Sequence, residues 1–189
     1  MRLLSLRLSL CCLILGVAAI VPAQVASAQA APPPDATAKV PSPPRTADVS
    51  LSGATITIKY SAPSARGRTI FGGLVPYGEV WRTGANAATT LITSSNLQIG
   101  DLSVPAGTYT LYSVPSAEGW QLVVNKQTGQ WGTVYTKAQD LGRTTMSVGS
   151  NATPVETFVI DFEKTMGEKT ELHLKWAGVD ASVPVTVVK

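Results

Sequence analysis

An antiparallel β-sandwich is the fold class that the sequence predicts, and three observations predict it. Short segments rich in β-branched and aromatic residues alternate apolar and polar side chains at a period of two. Gly, Pro, Asn and Asp interrupt them about every 8–12 residues, the spacing of short strands in a sandwich. No segment beyond residue 47 carries the apolar period of an amphipathic helix. About nine short strands result, and a partly closed β-barrel is the alternative architecture.

The chain divides into three parts. Residues 1–28 read as a secretory signal: Arg2 and Arg7 give the positive start, residues 8–21 the apolar run, and Ala26-Ser27-Ala28 a cleavage site. The expected address is secreted or periplasmic, with cleavage near Ala28. The apolar run is too short for a membrane span and meets a processing site, so no stable membrane insertion of the mature chain is expected. Leu10 before Cys11, and an apolar run that continues past it, argue against a lipid anchor. Residues 29–47 are rich in Pro and Ala and poor in large apolar residues, the composition of a disordered, extended tether. Residues 48–189 then form one β-sandwich domain of ordinary size.

The strands follow in order. Residues 54–60 point Ile56, Ile58 and Tyr60 to one face and Thr55, Thr57 and Lys59 to the other. Residues 89–93 resume β character, and Gly100-Asp101 joins 97–99 to 102–104 as a tight hairpin. Residues 108–114 carry apolar mass on both faces, which fits an interior strand or one wall of a pocket. Residues 120–125 return, and residues 137–143 form a loop or a single helical turn. Strands 144–148, 156–162, 170–176 and 182–188 complete the set, with Pro184 marking an edge or a bulge.

Residues 66–86 break this pattern. They hold five glycines, three arginines, three aromatics, one proline and a lone glutamate. An irregular segment of that length in a compact domain is usually functional or packed on itself. The run G-R-T-I-F-G-G-L-V-P-Y-G-E-V-W-R-T-G-A-N, followed by P-A-G-T-Y-T-L-Y-S-V-P and N-K-Q-T-G-Q-W-G, resembles the bacterial family called domain of unknown function 2911. The resemblance covers about residues 49–187. It implies a secreted or periplasmic bacterial domain and carries no activity. Family members often have Glu after the final Asn of the first motif, where this chain has Ala87.

Composition removes several kinds of chemistry. Cys11 and Cys12, the only cysteines, lie in the signal, so the mature chain has no disulfide, thiol nucleophile or cysteine ligand. One histidine, His173, leaves zinc, copper and iron sites without their usual ligands, and no metal or cofactor is expected. Charged neighbours in alternation place His173 on a solvated face. Nucleotide-binding glycine motifs and G-x-S-x-G are absent. The net charge of +3 falls to +1 once Arg2 and Arg7 are cleaved off, which leaves no footprint for nucleic acid.

Residues 66–86 therefore carry the functional expectation. Arg66, Arg82 and Asn86 offer planar donors, and Tyr77, Trp81 and Trp131 offer stacking faces, a set suited to a carboxylate, a phosphate or a sugar. Asn125 and Lys126 would add polar groups beside Trp131. The expected function is non-catalytic binding of a small polar ligand or glycan. A structural or protein-interaction module of the cell envelope is the alternative. A metal-independent enzyme using Glu79 as acid or base, with Arg82 as electrostatic stabiliser, is the second alternative. The purely structural reading pairs Glu79 with an arginine, bonds a guanidinium to loop carbonyls, and plugs the sandwich end with Trp81 and Phe71.

Overall fold

The computed structural model describes residues 42–188. The signal read in residues 1–28, and the tether as far as residue 41, lie outside the described residues. Nine strands form one antiparallel, unclosed sheet in the order β1-β2-β3-β6-β7-β8-β9-β4-β5. They are β1 (Pro44–Leu51), β2 (Ala54–Ser61), β3 (Thr89–Thr93), β4 (Asn96–Ile99), β5 (Leu102–Val104), β6 (Gly107–Val114), β7 (Trp120–Asn125), β8 (Asp140–Met166) and β9 (Lys169–Val188). Among the described residues the only helical element is a 3-10 turn at Lys137–Gln139, inside the piece read as a loop or one helical turn. The result is a sandwich-like all-β fold.

The sequence reading is corrected at β1. Its first four residues, Pro44 to Ala47, lie in the stretch assigned to the tether, yet Pro44 pairs with Ser61 and Leu51 with Ala54. A two-residue turn, Ser52-Gly53, joins the strands with both φ angles positive, 46° and 87°. That geometry matches the right-handed twist of a hairpin. The strand is an edge, so Pro44 at its first position costs no ladder bond. Only Ala47 and Leu51 are fully buried along it, which is why its composition reads as linker.

A second correction concerns the last four segments. Segments 144–148 and 156–162 belong to one 27-residue strand, β8, and 170–176 and 182–188 to one 20-residue strand, β9. The sequence breaks between them are irregularities within the strands: the β8–β9 register shifts between Ser150 and Val155 and between Val155 and Val159. Such bulges bend a strand so that it can leave one sheet layer and enter the next. Residues Asp140 to Met146 of β8 pair with β7, whereas Ser147 onward pairs with β9. Pro184 falls between the last β9 pair with β8, Ser147↔Ser182, and the first with β4, Ile99↔Val185.

The core lies between the two layers. Ile56, Ile58, Leu111, Leu122, Phe158, Leu174 and Trp176 are all buried, on the faces that alternation assigns to the inside. β6 lies between β3 and β7 and is buried on both faces, as its sequence predicts. Beyond β2 the chain runs along the bulged middle of β8. Phe158 N–H donates to Pro63 O (2.8 Å), Ala65 N–H to Glu156 O (2.8 Å) and Ile160 N–H to the Tyr60 hydroxyl (3.1 Å). These bonds carry the chain across to the segment that forms the site.

Candidate functional site

Residues 66–86 contain isolated bridges but no named strand, and they pack first on themselves. Leu74 N–H donates to Thr69 O (3.0 Å), Val75 N–H to Ile70 O (2.9 Å) and Gly72 N–H to Val75 O (2.9 Å). The segment then clips to β6: Trp81 N–H donates to Ser113 O (2.8 Å) and Ser113 N–H returns to Trp81 O (2.9 Å). Trp81 also enters the core. Its ring stacks on Trp176 at 5.8 Å and 18°, and meets Phe158 edge-on at 5.1 Å and Phe71 at 6.0 Å.

Three side-chain-bearing residues of the segment sit in the left-handed region: Arg66 (φ 53°), Thr83 (49°) and Asn86 (58°). Asn tolerates that region, but a β-branched residue there is a strained position. Buried Thr83 is held by its hydroxyl, which donates to Ser113 Oγ (3.0 Å), and by its carbonyl, which accepts the Thr89 hydroxyl (2.8 Å). The constraint fixes the backbone on both sides of Arg82 to Asn86.

A cavity of about 490 Å³ opens beside this segment. Arg66, Arg68, Trp81, Arg82 and Asn86 line it from the segment, Tyr112 from β6, Trp176 from β9, and Gly132, Thr133 and Tyr135 from the loop after β7. Among the described residues that line it, none is Asp or Glu. Thus Arg66, Trp81, Arg82 and Asn86 converge on one concavity. Tyr77 and Trp131, 47% and 56% exposed, do not line it. The loop approaches through Gly132 instead, whose N–H donates to Asn86 O (3.0 Å), while the neighbouring indole faces solvent.

The arginines differ in their commitments. Arg68 donates from Nε to Ala65 O (2.9 Å) and from Nη2 to Ser64 O (2.7 Å), so it is the guanidinium that bonds loop carbonyls. Half-buried Arg82 makes no side-chain hydrogen bond or ion pair among the described residues. Glu79 is exposed, stands outside the cavity and pairs with no arginine among the described residues. The structural reading thus holds for Trp81, Phe71 and Arg68, and fails for Glu79.

The opposite wall is built by contacts that periodicity does not reveal. Tyr112 Oη donates to Val134 O (2.7 Å) and accepts Gln130 Nε2 (3.0 Å). Tyr135 Oη donates to Asp140 Oδ2 (2.7 Å) and accepts Arg143 Nη2 (2.7 Å). Burial first, and the Asp140 carboxylate second, push the Tyr135 phenol above its usual range, so it stays neutral. Asn125 does not face a ligand. It is buried and ties the loop down through Nδ2 to Thr136 O (3.1 Å) and Asp140 Oδ1 (2.8 Å).

His173 is a further correction. It is only 6% exposed, with Nδ1 2.8 Å from Asp180 Oδ1 and Nε2 3.4 Å from Glu171 Oε2. Alternation gives its face correctly, but β9 bends at Ala177 (φ 50°) and brings Asp180 back over the ring. Lys164 bridges Glu171 (2.8 Å) and Lys175 bridges Glu163 beside it. Among the described residues no group of three or more His, Cys, Asp or Glu is placed to hold a metal ion.

Fold and site together define a sandwich-like all-β domain with an arginine-lined cavity walled by one irregular segment. The chain belongs to a family described as protein of unknown function, DUF2911, whose model matches residues 42–185. No curated protein and no solved structure matches it.

Proposed function

We propose that the domain is a non-catalytic binding module that takes a small polar molecule in the cavity beside residues 66–86. One observation carries the proposal: Arg82 is half-buried at a cavity wall, yet its guanidinium has no protein partner among the described residues. A buried or half-buried charge is normally paired, so an unpartnered one facing a cavity is a donor kept for a ligand. Arg66, Trp81 and Asn86 share the cavity, and its volume of about 490 Å³ suits a small organic molecule. The described wall residues include no carboxylate or imidazole to move a proton, which favours binding over acid–base catalysis.

The setting of this activity is the periplasm or the cell exterior, supported by the signal pattern of residues 1–28 and the tether composition that follows. The test is a thermal-shift screen of sugars, phosphates and carboxylates. At least one class raises the melting temperature of the native domain. Arg82→Ala abolishes that shift while its own melting temperature stays within a few degrees of the parent. A variant that keeps the shift, or that collapses, defeats the proposal in favour of a structural role.

A further inference from the structure

We infer that the cavity takes a small organic anion bearing a phosphoryl or carboxylate group, and not a neutral glycan; this deepens the binding reading above and rests on it. The charge balance is the first ground. Arg68 and Arg82 line the cavity, with no Asp or Glu among its described lining residues. Among the described residues Arg68 is held by the carbonyls of Ser64 and Ala65, which orient its charge without neutralising it. Arg82 has no protein acceptor at all among the described residues.

Hydrogen-bonding capacity is the second ground. Sugar hydroxyls both donate and accept, so a glycan site needs acceptors, whereas an oxyanion only accepts. The charged groups on the wall are all donors, and among the described lining side chains the free acceptors are neutral: the Asn86 amide oxygen and the Ser42 and Thr133 hydroxyls. The Arg82 guanidinium and the Trp81 indole N–H are unused among the described residues. The Tyr112 and Tyr135 hydroxyls each already donate one bond and accept another. The Ser64 hydroxyl is engaged with Thr157 at 2.9 Å. The third ground is size. At about 490 Å³ the cavity exceeds what a bare oxyanion fills, and the half-buried rings of Trp81 and Tyr135 give an organic body a surface to lie on.

Titration calorimetry on the mature protein with phenyl phosphate, benzoate, inorganic phosphate and phenyl β-glucoside tests this. Phenyl phosphate or benzoate binds, whichever oxyanion is the better fit, and inorganic phosphate binds at least severalfold more weakly. The glucoside gives no heat. Affinity for the aryl anion falls about tenfold between roughly 0.02 M and 0.5 M salt, as a partly exposed charge contact should. Arg82→Gln weakens it tenfold or more without changing the melting temperature; if that variant misfolds, the salt titration of the native protein decides. Glucoside binding that ignores both salt and Arg82→Gln overturns the anion assignment but leaves the cavity a binding site. Inorganic phosphate binding as tightly as the aryl anions overturns the organic body. Silence from all four probes overturns both readings.

Discussion

Gly132 lies against Arg82 so closely that a Cβ on the glycine would stand 2.6 Å from Arg82 Cδ and 2.8 Å from the carbonyl oxygen of Asn86. A side chain can swing away from such a clash; the Asn86 carbonyl, which accepts the Gly132 N–H at 3.0 Å, cannot do so without losing that bond. The loop after β7 thus seats Arg82 by presenting no side chain at all. Gly132→Ala is expected to destabilise the domain by about 1–3 kcal/mol and to weaken aryl-anion binding at least as much as Arg82→Gln does. Urea unfolding and calorimetry check the two effects separately. Unchanged binding would mean that the loop does not position Arg82.

Trp81 and Arg82 are adjacent in sequence and opposite in role. Trp81 packs against Trp176 and Phe158 in the core, so Trp81→Ala is expected to cost about 3–5 kcal/mol. Arg82→Gln, which breaks no protein hydrogen bond or ion pair among the described residues, is expected to stay within about 0.5 kcal/mol of the parent. Denaturant midpoints with unchanged m-values distinguish the two.

The β1 hairpin is structural even though its composition resembles a tether. Leu51 is 1% exposed and sits in the common core. Leu51→Ala is expected to cost about 2–4 kcal/mol by urea unfolding. A change below about 0.5 kcal/mol, the range of ordinary surface positions, would return β1 to the tether.

Acid should weaken the β8–β9 pairing in a definite direction. The hydrogen bond from Lys175 holds the Glu163 carboxyl below its ordinary value of 4.5, and Lys164 does the same for Glu171. A carboxylate depressed in the folded state stabilises the fold above its unfolded pKa, and that contribution is lost as pH falls through the folded value. Stability is therefore expected to decline as pH drops below about 4.5, by only a few degrees in melting temperature because both pairs are partly exposed to solvent. Glu163→Gln together with Glu171→Gln should flatten that part of the curve. A double variant with the parent's acid profile would show that these pairs contribute nothing.

The strands that alternate cleanly were legible in the sequence because one face of each is buried and the other wet. Ile56, Ile58, Leu172, Leu174 and Trp176 all fall on the face that period-two reasoning assigns them. The irregular segment was legible by contrast, and four of the five candidate binding residues in it line one cavity: Arg66, Trp81, Arg82 and Asn86. What escaped was whatever depends on a partner distant in sequence. Tyr112 and Tyr135 become a wall only when β6 meets the loop after β7. His173 is covered only because a bend brings Asp180 over it. Trp131 offers a stacking face in the sequence, yet the residue that meets Arg82 and Asn86 there is its neighbour Gly132, whose importance lies in what it lacks. Continuity of β8 and β9 was hidden too, since Gly149, Pro154 and Gly178 read as turns when no sheet is there to bend around.

The two long strands have a mechanical consequence. Because β8 carries its backbone from the ladder with β7 straight into the ladder with β9, one continuous strand joins the two layers with no loop between them. Loosening at the wet rim of the cavity can remain local, while the slowest-exchanging amides of both layers should report one shared, all-or-none opening.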